Sequence, residues 1–343
     1  MQFSWKRALI ALGAILVVLL GGYVALFAIR PASGDPTFGI QFSKTHAEWL
    51  GLDWRATYTA LLDDVGVRQV RLGAYWPEVE PTSGAYAFDD LDWLMDESAR
   101  RGATIVLAVG RRLPRWPECH IPDWARVLPE VEQRERVLAV VRAVVERYRS
   151  HPALAMWQVE NEAFLTLFGE CVKTDPIFFR TERDLVRSLD AAHPMLITDS
   201  GELSMWMRAA EAGDLLGTTM YRVVWNPLVG YWSYDAIIPP AFYRVKAWLA
   251  GKPASRMVVA ELQAEPWIPK GDIFSASLIE QRKSMDAARL HQHVAFARAT
   301  GFTSVYLWGA EYWYWLKTVH GDASLWEAAR GTFHGVDGSG TPR

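Results

Sequence analysis

From Phe38 onward the chain alternates short apolar runs with longer stretches whose apolar residues fall three or four apart. A short apolar run closed by polar or turn residues predicts a strand buried on both faces, and the three-to-four spacing predicts an amphipathic helix. Eight strand-like runs occur: Phe38–Phe42, Gln69–Gly73, Thr104–Val109, Ala155–Val159, Met195–Asp199, Leu215–Tyr221, Met257–Ala260 and Ser304–Trp308. Helical patterns lie between them. Trp54, Tyr58, Leu61 and Leu62 share a face that Gly66 ends, and Asp89 and Asp90 cap a helix that stops at Gly102. Val131–Tyr148, a segment carrying Leu185 and Leu189, Phe242–Leu249 and a long Leu278–Thr300 predict further helices, and an amphipathic segment near Leu325–Ala329 closes the chain. Strand and helix in this alternation imply a parallel sheet, and eight repeats of it predict an α/β chain folded as a single (β/α)8 TIM barrel. No internal repeat or low-complexity stretch interrupts the order, so one barrel over residues 38–343 accounts for everything after the amino-terminal part.

That amino-terminal part follows another pattern. Lys6 and Arg7 precede an uncharged run from Ala8 to Ile29, long enough as a helix to cross a hydrocarbon layer of about 30 Å. The run exceeds the apolar segment of a cleaved signal peptide and ends in Leu26-Phe27-Ala28-Ile29-Arg30, a poor cleavage site. Residues 1–30 are therefore expected to form a cytoplasmic stub and one transmembrane signal anchor, with 31–37 as a linker. The basic flank sets the rest outside the cytoplasm, in the periplasm or at the cell surface. Cleavage of the segment would instead give a secreted protein.

The net charge of -3, with both signs mixed along the chain, gives no sign of a nucleic-acid partner. Aromatic content is unusual: 17 Trp exceed what packing would call for, and exposed Trp and Tyr are platforms for sugar rings. Two cysteines in an exported domain form an even count in an oxidising space. Cys119 follows the third strand and Cys171 the fourth, so neighbouring loops would let them form a disulfide; two separate buried thiols are the alternative.

The chemistry sits where polar residues first interrupt the apolar runs. Ala155–Val159 emerges into Glu160-Asn161-Glu162, and Met257–Ala260 leads straight into Glu261. Parallel α/β barrels keep their reactive groups at the carboxyl ends of the strands. Strands four and seven lie across the barrel from each other, which opposes Glu162 and Glu261 over a common mouth. Two opposed carboxyl groups are what hydrolysis of a glycosidic bond needs, one to protonate the leaving oxygen and one beyond the anomeric carbon.

With Asn161-Glu162 ending the fourth strand and Glu261 the seventh, the sequence resembles the retaining glycoside hydrolases of clan A. The resemblance runs from about residue 38 to 320 as a pattern of positions rather than a continuous signature. Arg71 at the end of strand two, Tyr221 after strand six and Trp308 ending strand eight match three further positions of that pattern. The resemblance implies a retaining hydrolase of β-linked glycans, with Glu162 as acid/base and Glu261 as nucleophile. Asn161 would bind the hydroxyl beside the anomeric carbon, Arg71 and Tyr221 would hold Glu261 ionised, and Trp308 would form the floor under the sugar. A catalytically silent barrel that binds glycans at the cell envelope is one alternative, and a transglycosidase that remodels them is another.

Competing residues remain. Glu265 rivals Glu261 but falls in the loop beyond the apolar run, and Glu160 shares the parity of Glu162 but lies deeper. His46 and Trp49 after strand one are candidates to line the sugar site. Arg111, Arg112, Trp116 and His120 in the loop after strand three are candidates to bind substrate, including one that carries a carboxylate. His291 and His293, two apart on a helix, point in different directions and read as surface residues rather than a metal pair. No His-x-His ends strand one and no glycine-rich phosphate loop occurs, so neither metal nor cofactor is expected. The long aromatic loops favour a bounded pocket, hence action at chain ends.

Overall fold

The computed structural model describes residues 5–32, 34–165, 169–171, 175–269 and 273–335. Ser33 of the expected linker lies outside them. Among the described residues ten strands follow in chain order: β1 Thr37–Gln41, β2 Gln69–Gly73, β3 Thr104–Val109, β4 Leu154–Val159, β5 Met195–Asp199, β6 Leu215–Met220, β7 Val223–Asn226, β8 Gly230–Ser233, β9 Met257–Gln263 and β10 Ser304–Trp308. Eight of them close a parallel barrel in the order β1-β10-β9-β6-β5-β4-β3-β2, while β7 and β8 pair antiparallel as a separate hairpin. The eight expected runs are thus the eight staves. The seventh extends two residues past Glu261, to Gln263.

Local chemistry fixes the helix ends. Asp53 accepts from the amides of Arg55 and Ala56 to start Trp54–Asp63, and Gly301, at φ 71°, stops Ala287–Thr300 in a left-handed turn that suits glycine. The single helix expected over Leu278–Thr300 is two. Asp286 caps Ala287–Thr300 by accepting from the amide of Arg289, and just before it the Ser284 hydroxyl is exchanged with the backbone of Trp267 at 3.0 and 2.8 Å. These local side-chain bonds break the helical ladder that apolar spacing alone would continue. Elements that were not expected include the six-residue helix Met207–Ala212 between β5 and β6, the β7–β8 hairpin in the aromatic loop that follows, the short helices Lys44–Trp49, Trp76–Val79 and Asp123–Arg126, and the ten-residue helix Ala310–Val319 after β10.

The barrel interior is layered. Val106, Leu196, Val258 and Tyr306 pack across its lower part. The Tyr306 ring fits because β1 offers Gly39, where a Cβ would come within 2.8 Å of ring carbons. Above that plug lies a polar layer with Gln41, Arg71, Gln158 and Thr198, all buried. The outer core fills the space between sheet and helices. Trp76, Trp157, Trp206, Trp313 and Trp326 are fully buried, so packing takes a good part of the tryptophan.

The expected disulfide is present, Cys119 to Cys171, with Cα atoms 5.0 Å apart. At the amino end, Trp5–Ala25 is a 21-residue helix. Among the described residues no helix is long and apolar enough to cross a membrane. The side chains of residues 6–8, 10 and 11, including the Lys6–Arg7 flank, lie outside the described ones.

Candidate active site

The chain leaves β4 through a kinked segment. Glu160 and Glu162 both have positive φ, 56° and 43°, a region that costs a non-glycine residue energy and recurs at functional sites. Each kink is held from outside. The Glu160 carboxylate accepts from the amides of Arg111 and Arg112 at 2.9 and 2.7 Å, pinning the loop after β3. Gly110, at φ 126°, makes this possible, since a Cβ there would overlap that carboxylate. The Glu162 amide donates to Thr198 Oγ1 on β5 at 2.9 Å.

Arg71 joins the strand ends. Fully buried, it donates through Nε to Gln158 at 2.7 Å, through Nη2 to Asn161 Oδ1 at 2.7 Å, and through Nη1 to Gln41 at 3.1 Å and to Glu261 Oε1 at 2.9 Å. The other oxygen of Glu261 accepts from the Tyr221 hydroxyl at 2.8 Å. One guanidinium fork therefore touches residues from β1, β4, the β4 exit and β9 at once. Asn161 Oδ1 also accepts from Thr198 at 3.1 Å and Gln158 at 3.4 Å, so its carbonyl side is committed to the protein. Glu162 reaches the same part of the mouth from the β4 exit. Its Oε1 lies 3.5 Å from Thr219 Oγ1, and Thr219 is the residue of β6 in direct register with Glu261 on β9.

Burial and charge separate the two acids. Glu162 is 7% exposed, and loss of hydration raises its pKa well above the ordinary carboxyl value, with the charges of Glu261 and Glu118 adding to the shift. Glu162 thus holds its proton while Glu261 sits between a guanidinium and a phenol. Burial, then the charge of Glu261, pushes the Tyr221 hydroxyl well up, which keeps it a donor.

Beside these groups the mouth opens into a cavity of about 830 Å³ lined by His46, Trp49, Trp116, Trp267 and Trp308 together with Arg115 and Glu265. Arg115 reaches across it, donating to Glu265 Oε1 at 2.5 Å and Glu311 Oε2 at 2.9 Å, with its guanidinium 4.3 Å from the centre of the Trp308 ring. Trp308 Nε1 donates to the same Glu265 oxygen at 2.7 Å. Burial alone would raise the pKa of Glu265, but Arg115 and His46 outweigh it and hold it down at about 2.

Comparison with known proteins fits this geometry. A family model described as beta-galactosidase matches residues 47–136 and 125–180. The beta-galactosidase LacZ of Heyndrickxia coagulans is 34% identical over 120 residues, covering 30% of this chain and 18% of that protein. BgaA of Clostridium cellulovorans is 26% identical over 223 residues, 56% of this chain and 34% of the relative. The chain thus spans a minor part of these relatives' lengths. Among solved structures, the beta-galactosidase of the Antarctic haloarchaeon Halorubrum lacusprofundi superposes with a TM-score of 0.58 at 18% identity, over 88% of this chain and 58% of that one. Over residues 47–180 the chain is similar to this glycoside hydrolase family, and its closed eight-stranded barrel fits a clan A (β/α)8 glycoside hydrolase.

Within this barrel, Asn161, Glu162, Arg71, Tyr221 and Glu261 form one connected cluster, and His46, Trp116 and Trp308 line the adjoining cavity. Trp308 carries Arg115 on one face of its ring, so only the other face is left to act as a floor. The arginines proposed for a substrate carboxylate are turned inward: Arg111 pairs with Glu130 at 2.8 Å, and Arg112 with Glu118 at 2.8 Å. His120 is half-buried against Tyr75, and the loss of hydration brings its pKa down to about 4. His293 is not a surface residue. It is buried, with Nδ1 2.9 Å from the carbonyl of Gln263, and burial lowers its pKa to about 4. Among the described residues no cluster could hold a metal ion. Sequence reasoning missed Gln41, Gln158, Thr198 and Thr219. The available signal was a polar residue at an inward position of an otherwise apolar run.

Proposed function

We propose that the chain is a retaining β-glycosidase in which Glu162 is the acid/base and Glu261 the nucleophile. The observation that carries this reading is the Arg71 fork, which binds Glu261 on β9 and Asn161 beside Glu162 in one step. In the first half-reaction Glu162 gives its proton to the glycosidic oxygen as Glu261 attacks the anomeric carbon, releasing the aglycone alcohol and leaving a glycosyl ester. Esterification removes the charge of Glu261, one of the causes that keep Glu162 protonated. Glu162 is then a base for the incoming water, whose oxygen displaces Glu261 from the same carbon. With the Asn161 oxygen held by three donors, its amide nitrogen is left to bind the hydroxyl beside the anomeric carbon. The names of the relatives make a β-galactoside the first substrate to try.

Turnover of nitrophenyl β-galactoside, followed in Glu162→Gln and Glu261→Gln, tests the assignment: each loses on the order of 10²–10⁴-fold. A wild-type chain that binds glycans and turns none over would be the silent barrel. Longer products at high acceptor concentration would mark a transglycosidase.

We further propose that Trp5–Ala25 anchors the chain in a membrane, residues 31–37 acting as the linker and the barrel from residue 38 on lying outside the cytoplasm. Supporting this are the uncharged run Ala8–Ile29 and the exposure of Leu12, Val17, Val18 and Leu20, apolar side chains on all sides of one helix. The disulfide fits an oxidising compartment. Retention in the pellet after an alkaline carbonate wash of membranes is the expected result; release to the supernatant would rule the anchor out.

A further inference from the structure

The amino-terminal segment meets the barrel in a definite order. The helix Pro240–Leu249 follows β6 and the hairpin, so its first residues lie at the mouth and its last at the floor, as for every helix of the barrel. The Tyr23 hydroxyl donates to the carbonyl of Ile237, just before that helix begins. The carbonyl of Arg30 accepts from Arg244 at 2.8 Å, and Ile29 shares a groove with Trp248 and Gly251 near its end. Ala32 and Thr37 then bond to Ala299 and Thr303, both at 3.0 Å, on the floor. The chain descends from mouth to floor between Tyr23 and Thr37. What precedes Tyr23 therefore projects on the mouth side, and the 18 residues from Trp5 span about 27 Å as a helix.

Exposed apolar side chains gather at the same end. Leu228, 90% exposed, and Val229 form the tip of the β7–β8 hairpin, which leads within a few residues into the Ile237 contact. Leu203 and Met205, the latter 72% exposed, stand on the neighbouring turn after β5, and Trp116 stands at the cavity rim. At floor ends of helices the exposed apolar residues among those described are Trp248, Leu249 and Val319. A rim of apolar side chains beside an apolar helix is how a protein seats itself on a lipid surface.

We propose that the mouth of the barrel faces the bilayer entered by Trp5–Ala25, with the Leu228–Val229 tip in the lipid, and that the substrate is a sugar headgroup carried on a lipid. This rests on the anchor and glycosidase readings above. A lipid-borne sugar is delivered into the mouth from the surface below it, whereas a soluble polymer has to enter the gap between barrel and membrane.

The test uses the full chain reconstituted in phosphatidylcholine–phosphatidylglycerol vesicles. Leu228→Cys and Val319→Cys are labelled with a bimane fluorophore without reductant, so the native disulfide stays intact, and brominated lipid is the quencher. Quenching at position 228 and little at 319 is expected. Equal quenching at both, or the reverse, overturns the orientation. In the same vesicles, Leu228→Asp lowers turnover of a long-chain alkyl β-galactoside by about tenfold and leaves water-soluble nitrophenyl β-galactoside unchanged. An unaltered ratio of the two rates overturns the substrate class. If neither glycoside is turned over by the unsubstituted chain, the glycosidase reading fails while quenching still decides the orientation. A chain that stays out of the vesicles ends the anchor reading and this proposal with it.

Discussion

Replacing Arg71 by Met keeps the length of the side chain and removes its fork. In the wild type that fork is fully buried and makes contacts of 2.7, 2.7, 2.9 and 3.1 Å to Gln158, Asn161, Glu261 and Gln41. Breaking a buried ion pair by removing one partner costs about 3–5 kcal/mol, because the other charge stays buried. Each amide oxygen left without a donor adds about 1–3 kcal/mol, less whatever Gln41, Gln158 and Asn161 recover by turning to one another. These terms are not additive, so a total on the order of 5 kcal/mol is expected. For a large domain that corresponds to a fall in Tm of about 10–20 °C. Thermal unfolding of the purified chain by circular dichroism measures it, with Arg71→Lys as the control that keeps the charge and loses the fork. Lys should fall between wild type and Met, since a point charge can still meet Glu261 but cannot also hold Asn161 and Gln158. A Tm for Arg71→Met within the error of wild type would refute the claim that this guanidinium holds the strand ends together.

A buried carboxyl and the disulfide give two checks that need no substrate. Burial raises the pKa of Glu78 to about 7 against the opposing charge of Lys44, and its Oε1 has no hydrogen-bond partner. A carboxyl raised in the fold costs stability as pH climbs from its unfolded value, near 4.5, through 7. Glu78→Gln should therefore raise stability at pH 8 by up to about 3 kcal/mol and change little near pH 4.5; a pH-independent effect in urea titrations would contradict the burial argument. The disulfide closes a loop between residues 52 apart, which chain entropy makes worth up to about 4 kcal/mol. Cys119→Ala with Cys171→Ala should lower stability by about 2–4 kcal/mol, and an unchanged urea midpoint would show the loops to be held by other contacts.

The barrel was legible because both of its signals are local. Apolar runs such as Thr104–Val109 and Met195–Asp199 match their strands to the residue, since buried parallel strands admit few polar side chains. Asn161, Glu162 and Glu261 stood out because polarity begins abruptly at the strand exits. What escaped depends on contacts distant in sequence. Arg115 reaches Glu265, 150 residues away, and Glu311, 196 away, and no pattern around Arg115 announces either. Its positive φ of 85° belongs to a tight turn next to Trp116-Pro117 that hydropathy does not report. The hairpin strands, of four residues each, and the helix Met207–Ala212 are too short to show a period. His293 was misread because an i, i+2 spacing shows that two side chains diverge but not which of them faces the core.

The central claim is that Glu261 bonds to the sugar while Glu162 moves the proton. Incubation with an activated 2-deoxy-2-fluoro-β-galactoside, whose fluorine slows breakdown of the ester, tests it by intact mass and then by peptide sequencing. The account predicts one added fluorosugar, carried by the peptide containing Glu261 and lost when Glu261 is replaced by Gln. An adduct on Glu265 or Glu162, or steady turnover of the unfluorinated glycoside with no adduct at all, would contradict it.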